Sequence, residues 1–271
     1  DSDRIYIVSM DYAHGNEEMK SSSYTSGGIA PAIKEYSPKV ELATRFTWLA
    51  EGILFQNIDH QGATRGNKFS ARQIVLADTS FFEMFNTSII GKNPKESLAI
   101  PGNAYISRSF AEKLTGSSDR GVSDNIIGTL VSMVSNPSQM MTICGIYDDF
   151  PVNSSLHEFD ILLSLPSIGN YMWDGSDNLL GNERYYSFVK LFKNTDPSSL
   201  SGDIEKMCQN KLPQEELQEA GVSLGYHISL YGGFNLQDKD QRVVFILLIV
   251  LAISVLAVAV LNYVLIAISA I

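Results

Sequence analysis

The feature that most constrains this chain is an uncharged run near its C-terminal end. Residues 243–261 read VVFILLIVLAISVLAVAVL, in which Ser254 carries the one hydroxyl group. As a helix, this run is about 28 Å long, close to the ~30 Å hydrocarbon thickness of a bilayer. It contains neither proline nor glycine, and no charge follows it up to Ile271. Because one helix satisfies its own backbone hydrogen bonds in lipid, the pattern predicts a transmembrane helix at 243–271.

Two other interpretations of the apolar run are weaker. A buried helix of a soluble protein is disfavoured because the run is apolar on every face and longer than most globular helices. A removable lipid-anchor tail is disfavoured because the run is long and the segment before it carries charges. The run's C-terminal position excludes a signal peptide. The polar residues predicted inside the helix are Ser254, Asn262 and Ser269. Asn262 and Ser269 form either routine helix–helix hydrogen bonds or a moving interhelical contact, and both alternatives imply partner helices.

Charge and cysteine content exclude several other classes of protein. The chain has 30 acidic and 20 basic residues, a net charge of −10, with no basic cluster, which argues against nucleic acid as a partner. Apolar residues make up 45% and charged residues 18%, which is typical of a globular chain. Cys144 and Cys208 are too few for a disulfide scaffold, and the sequence leaves open whether they pair. The chain begins with Asp1 instead of Met, so we expect a processed product or a fragment.

Local patterns before residue 242 predict an α+β domain. Eight or nine strands and three or four short helices are expected, among them a helix capped by Ser107 and closed by Gly116. We predict strands at 5–8, 40–49, 72–77, 103–106, 125–130, 140–147, 185–192 and 223–230, and 159–165 is a short apolar run. The polar segment 14–28 is predicted to be a loop, and Gly62 and Gly66 are predicted to mark turns. The elements suggest two subdomains, a membrane-proximal one formed by 1–70 and 183–236 and an inserted strand-rich one at 71–182.

No catalytic motif is present, so we assign no catalytic residue, metal ligand or cofactor. The most site-like cluster comprises Asp148, Asp149, His157, Glu158 and Asp160, which could hold a divalent cation but which the surrounding turn chemistry explains better. Among the aromatic residues, Trp48 with Phe46 and Trp173 with Tyr171 are either partner anchors or core residues, and core packing is favoured.

Four motifs in a fixed order resemble those of MacB-like/FtsX-like ABC transporter permeases. They are PAIKEYSPKV at 31–40, ADTSFFEMF at 77–85, AYIS…AEKLTG within 104–116, and ICGIYDDFPVNSS at 143–155 with the Phe–Asp pair at 159–160. The resemblance covers nearly the whole chain and ends in the predicted membrane helix. Its motif residues are interpreted as structural: Phe81, Phe82, Phe85, Gly116, Gly145, Asp149, Pro151, Asn153 and Ser154.

The resemblance implies a topology and a set of partners. Residues 1–242 would lie in the periplasm and the helix in the inner membrane, with one helix before Asp1 and others after Ile271. A separate cytoplasmic ATP-binding subunit would hydrolyse ATP, and the membrane helices of the permease, or a second copy, would pass its motion to a periplasmic partner. The lipid bilayer is a further partner. The alternative is a single-span, membrane-anchored periplasmic enzyme or ligand-binding domain.

Overall fold

The computed structural model describes residues 2–58, 64–119, 121, 124–233, 246–256, 258 and 260. By internal contacts the chain forms two compact units, Asp1–Leu230 and Tyr231–Ile271. The first unit contains the sheet, both hydrophobic cores and every cluster discussed below.

Twelve strands of the described chain form one mixed sheet. The order of the main strands is β12-β1-β11-β4-β5-β10-β7-β9-β6, with β2 beside β1, β3 beside β11, and β8 beside β4 and β9. The strands are β1 Ile5–His14, β2 Lys20–Ser22, β3 Thr25–Ser26, β4 Val40–Ile58, β5 Thr64–Ala77, β6 Ile89–Gly91, β7 Asn103–Ser107, β8 Leu130–Met133, β9 Asn136–Tyr147, β10 Phe159–Ser164, β11 Glu183–Leu191 and β12 Val222–Leu230.

Short helices connect and cover these strands. The α-helices of the first unit are α1 Ile29–Tyr36, α2 Phe81–Phe85, α3 Pro94–Ser97, α4 Arg108–Thr115, α5 Ser201–Lys211 and α6 Gln214–Glu219. Single 3₁₀ helices lie at Ser2–Arg4, Asp124–Ile126, Leu165–Asn170, Pro197–Leu200 and Tyr231–Gly233. The mixture of a large sheet with short helices confirms the predicted α+β class.

Helix α4 shows how local sequence sets the element bounds. Ser107 Oγ accepts a hydrogen bond from the backbone N–H of Phe110 and so caps the first turn. At the other end Gly116 adopts a left-handed conformation with φ of 68°, and its N–H donates to Glu112 O. Glycine tolerates this conformation without strain, so both predicted ends of the helix are confirmed.

Two hydrophobic cores lie along the sheet. The first core packs α4 against β5, β7, β9 and β10, with Phe110, Ile143 and Ile161 at its centre. The second core packs α1 and α5 against β1, β4, β11 and β12, with Ile33 and Met207 among its buried residues. Strand β4 serves both cores, since Val40 and Ala43 belong to the second and Phe55 belongs to the first. The two cores are therefore joined through the hydrogen-bonded backbone of one strand.

Three local predictions differ from the structure. The strand predicted at 125–130 is a 3₁₀ helix followed by a turn, because Gly128 has a φ of 93° and Thr129 donates to Ile126 O; β8 begins only at Leu130. Gly66, predicted to mark a turn, lies within β5, while Gly62 lies outside the described residues. The polar segment 14–28, predicted as a loop, contains the short strands β2 and β3. The predicted division at 1–70, 71–182 and 183–236 stays a prediction.

Only part of the C-terminal apolar run is described. Residues 246–256 are helical with exposed side chains, and Ser254 Oγ donates a 2.7 Å hydrogen bond to Leu251 O. Asn262, Ser269 and most of the remaining predicted membrane helix lie outside the described residues. Within the parts of the chain that are described, no helix is both long and apolar enough to cross a membrane.

A segment at 171–182, which we call the strap, crosses from one core to the other. Tyr171 and Met172 pack against the first core, and Leu179 and Leu180 pack against the second. The middle of the strap lies against the backbone that leads into α1, where the Gly28 N–H donates a 2.8 Å hydrogen bond to Asn178 O. The strap therefore adds a second connection between the two cores.

Side-chain and backbone contacts hold the strap in place. The buried Arg45 guanidinium, from β4, donates to Gly27 O, to Ser176 O and, at 2.9 Å, to Asp177 Oδ1. A Cβ atom at Gly27 would lie 2.2 Å from Ser176 O, which is closer than any side chain permits. The Gly–Gly pair is thus required by the close approach of two backbones.

Replacing Gly27 tests this packing. We expect Gly27→Ala to lower the free energy of unfolding by about 2 kcal/mol, because the added methyl group forces the strap away from the backbone that leads into α1. Urea unfolding followed by circular dichroism measures the effect. Gly169→Ala is the matched control, since a Cβ there meets nothing within 4 Å, and we expect it to change stability by less than about 0.5 kcal/mol. Equal stability of the two variants would contradict the close approach.

Candidate functional site

The predicted acidic cluster is organised around an arginine of the protein. Asp160 lies on β10 and its side chain is buried, with an exposure of 1%. Arg72, on the neighbouring strand β5, donates to Asp160 Oδ1 from Nε at 3.0 Å and from Nη2 at 2.7 Å. The Arg72 backbone N–H donates to Asp160 Oδ2 at 2.7 Å, and Ser107 Oγ donates to Oδ1 at 3.1 Å. Both oxygens of the buried carboxylate are therefore engaged.

The other acidic residues of the cluster surround the same guanidinium. Glu158 lies 3.7 Å from Arg72 Nε, and Asp149 lies 4.0 Å from Arg72 Nη2. Asp149 also accepts from the backbone N–H and hydroxyl of Ser109 at the start of α4, at 3.1 and 2.7 Å. The hydrogen bonds to Asp160 raise the pKa of Arg72 despite its partial burial, so the guanidinium stays charged. This cluster, which we call the Arg72 cluster, holds α4, β5 and β10 together.

His157 of the predicted cluster and the turn residues that precede it have structural contacts. The Nδ1 atom of His157 lies 2.7 Å from Phe150 O, and the Ser154 N–H donates to Pro151 O at 2.8 Å in the turn that contains Asn153. Among the described residues, no group of three or more His, Cys, Asp or Glu side chains is arranged so that it could hold a metal ion. The acidic cluster is therefore a turn that the Arg72 guanidinium holds in place.

The aromatic motif residues form one continuous packing surface on the sheet. Phe81 is fully buried and packs edge-on against Phe46 at a centroid distance of 5.9 Å. Phe82 contacts the Tyr105 and Tyr147 rings at 5.2 and 5.4 Å, and Phe85 contacts Phe188 at 5.2 Å. Helix α2 is thus anchored by three rings in five residues.

Gly145 permits the approach of β6 and Tyr105 to β9. A Cβ there would lie 2.6 Å from the Tyr105 ring and 2.7 Å from Ile90 O. The absence of a side chain is therefore a packing requirement at this position.

The two tryptophans have different environments. Trp48 is half-buried and its ring packs edge-on against Phe46 at 6.2 Å and against Phe159 at 5.3 Å. Trp173 is 62% exposed, so the core position predicted for it is wrong. The Arg184 guanidinium donates to Trp173 O, and the ring covers Gly175, where a Cβ would lie 2.5 Å from it. The apolar character of Trp173 does not indicate that its ring lies on the exposed side of the strap.

The two cysteines do not pair. Cys144 lies on β9 and Cys208 on α5, and both are buried free thiols. Burial raises the pKa of Cys208 to about 11 and also raises that of Cys144, so neither is a reactive thiolate at neutral pH.

A groove of about 500 Å³ opens beside strands β1 and β12, and we call it the β1–β12 groove. Met10, Leu180, Leu217 and Leu224 provide its apolar walls. Tyr12 and Tyr24 line it as well and are 37% and 38% exposed. Among the described residues that line the groove, Glu183 is the one charged side chain. Sequence patterns did not indicate this groove, because its residues come from five separate segments.

The large sheet, the short helices that cover it and the four ordered sequence motifs together define this molecule as a mixed α/β extracytoplasmic domain. The model of the MacB-like periplasmic core domain matches residues 1–207. The chain belongs to this family, which confirms the resemblance drawn from the four motifs. It is a periplasmic segment of an ABC transporter permease, a class in which the ATPase is a separate subunit.

Two solved structures are similar to this chain. A domain of a protein assigned as a permease from Porphyromonas gingivalis is 29% identical, with a TM-score of 0.70, over 84% of this chain and 90% of that chain. The periplasmic region of MacB from Actinobacillus actinomycetemcomitans is 11% identical, with a TM-score of 0.50, over 84% of this chain and 91% of that chain. At 11% identity, the second likeness concerns the fold alone. Comparison with curated proteins finds no match.

Replacing Arg72 tests the role of the Arg72 cluster. We expect Arg72→Met to lower the free energy of unfolding by about 3 kcal/mol, because it leaves the buried Asp160 carboxylate without its cation. Urea unfolding at neutral pH measures the change. Lys34→Met removes an exposed cation from α1 and is the matched control, with an expected change below about 0.5 kcal/mol. If the two variants were equally stable, the cluster would not hold the three elements together.

Proposed function

We propose that this chain is the extracytoplasmic core domain and a transmembrane segment of an ABC permease that transmits ATP-driven motion across the inner membrane. Residues 1–242 would stand in the periplasm, 243–271 would form a membrane helix, and a cytoplasmic ATP-binding subunit would supply the energy. The remaining helices of the permease, or a second copy, would complete the membrane part. A periplasmic partner would receive the motion.

The observation that carries this proposal is the mechanical continuity of the Asp1–Leu230 unit. Strand β4 runs for 19 residues and is hydrogen-bonded to β5, β8 and β11, so it belongs to both cores. The strap, clamped by Arg45, joins the cores a second time. A body built in this way moves as a unit, because bending it would break sheet hydrogen bonds and the Arg45 contacts together. Membership of the permease family supplies the context in which such motion has a use.

The polar clusters support a mechanical role over a chemical one. Asp160, Glu158 and Asp149 surround Arg72, and the buried Asp78 carboxylate accepts hydrogen bonds from Thr44, Arg45 and Ser80. These carboxylates stabilise turns and strand ends in the folded protein. Energy from a separate ATPase would then be the source of any work that the domain performs.

The predicted location can be tested with a single introduced thiol. Val152 is 83% exposed, whereas Cys144 and Cys208 are 0% and 7% exposed. We expect a membrane-impermeant maleimide to label Val152→Cys in intact spheroplasts and to leave the unsubstituted chain unlabelled, because only the new thiol is accessible. Labelling is measured by a gel shift of the full-length permease. Reaction only after lysis would place the domain on the cytoplasmic side and overturn the proposal.

The predicted motion can be tested with the same position. A donor dye on Val152→Cys and acceptor dyes on lipid headgroups report the height of the domain above a nanodisc that contains the permease and its copurified ATPase. We expect ATP to change the efficiency of energy transfer between the dyes. With an ATPase variant that binds but does not hydrolyse ATP, we expect the efficiency to stay at one value. An efficiency that ATP leaves unchanged in the active complex would contradict mechanical transmission.

A further inference from the structure

The β1–β12 groove combines apolar walls with one charged group. Cross-strand pairing puts Met10 opposite Tyr226 and Tyr12 opposite Leu224, so these four side chains belong to the same face of the sheet. Helix α6 contributes Leu217 to the groove from above this face. The volume of about 500 Å³ is sufficient for several side chains of a bound molecule.

The charged group is the Glu183 carboxylate, which lines the groove. Its Oε1 atom accepts hydrogen bonds from Ser26 Oγ at 2.9 Å and from the Gly181 N–H at 2.7 Å. These two bonds fix the orientation of the carboxylate. The second oxygen, Oε2, has no hydrogen-bond partner among the described residues, so the group retains the capacity to accept from a bound molecule.

We propose that the β1–β12 groove binds a peptide segment that presents a lysine or arginine side chain next to apolar side chains. An ammonium or guanidinium group can donate a charge-assisted hydrogen bond to the available oxygen of Glu183. The aliphatic stem of the same side chain packs against Met10 and Leu217, and neighbouring apolar side chains contact Leu180 and Leu224.

The charge of Glu183 distinguishes a cationic, apolar segment from neutral or anionic segments as the ligand of the groove. A neutral apolar segment would cover Glu183 and remove it from water without a partner, which costs free energy. An anionic segment would meet the carboxylate and a chain with a net charge of −10. A cationic and apolar segment is the chemistry that satisfies both the walls and the carboxylate. The inference is separate from mechanical transmission, because binding is measured without ATP.

The test uses the full-length permease in nanodiscs of neutral phosphatidylcholine. The probe is the fluorescent hexapeptide LKLLKL with blocked ends, and the comparison peptide is LQLLQL, which has the same length and no charge. Fluorescence anisotropy measures binding, and empty nanodiscs provide the background. We expect saturable binding of the lysine peptide and binding of the glutamine peptide that is about tenfold weaker, which is the effect of losing one charge-assisted hydrogen bond.

One variant localises the binding to the groove. Glu183→Gln keeps an oxygen that accepts from Ser26 and Gly181 but removes the charge, and we expect it to weaken the lysine peptide about tenfold while leaving the glutamine peptide unchanged. Glu51→Gln, at an exposed carboxylate on β4 outside the groove lining, is the matched control and should bind as the unsubstituted protein does.

Several outcomes would overturn the proposal. Equal affinity for the two peptides would show that charge plays no part, and equal weakening by Glu183→Gln and Glu51→Gln would show general attraction to an acidic surface. No saturable binding up to about 1 mM would leave the groove without this ligand. A dimer in sedimentation that Glu183→Gln dissociates would show that a second copy of the chain fills the groove.

Discussion

The fold depends on the continuous pairing of strand β4. This strand has neighbours on both sides, β11 and β8 on one and β5 on the other, and it belongs to both hydrophobic cores. Without β4, the α1–α5 side and the α4 side of the domain would share few contacts. The hydrogen bonds along this one strand therefore join the two cores.

Two arginines, the buried Arg45 and the partly exposed Arg72, add to the connections that the sheet makes. Arg45 joins β4 to the strap and to the Gly27–Gly28 backbone, and Arg72 joins β5 to the buried Asp160 and to the acidic turn before β10. Each guanidinium has several donors in a fixed plane, so it can connect segments that are far apart in the chain. The polar groups that look like a site in the sequence are thereby used for rigidity, which suits a domain whose energy source is a separate subunit.

The β1–β12 groove differs from these clusters because its charged group retains unused capacity. Glu183 keeps one oxygen available, whereas Asp160 is fully engaged. Rigid attachment of the groove to the domain means that a segment bound there would move with it. Binding and movement can therefore reside in one body without any catalytic group.

The sequence alone determined the features that depend on near neighbours in the chain. The Ser107 cap, the Gly116 end of α4, most strands and the order of the family motifs all follow from local chemistry, as does the apolar character of 243–261. Tertiary structure decided which partner each charged residue found: no local signal pairs Arg72 with Asp160, 88 residues away, or Arg45 with Asp177, 132 residues away. It also decided that Trp173 is exposed and that Glu183 lies in a groove formed by five separate segments. Such contacts depend on how the packing of the whole sheet brings distant strands together. The spacing of residues along the chain does not indicate which distant strands will meet.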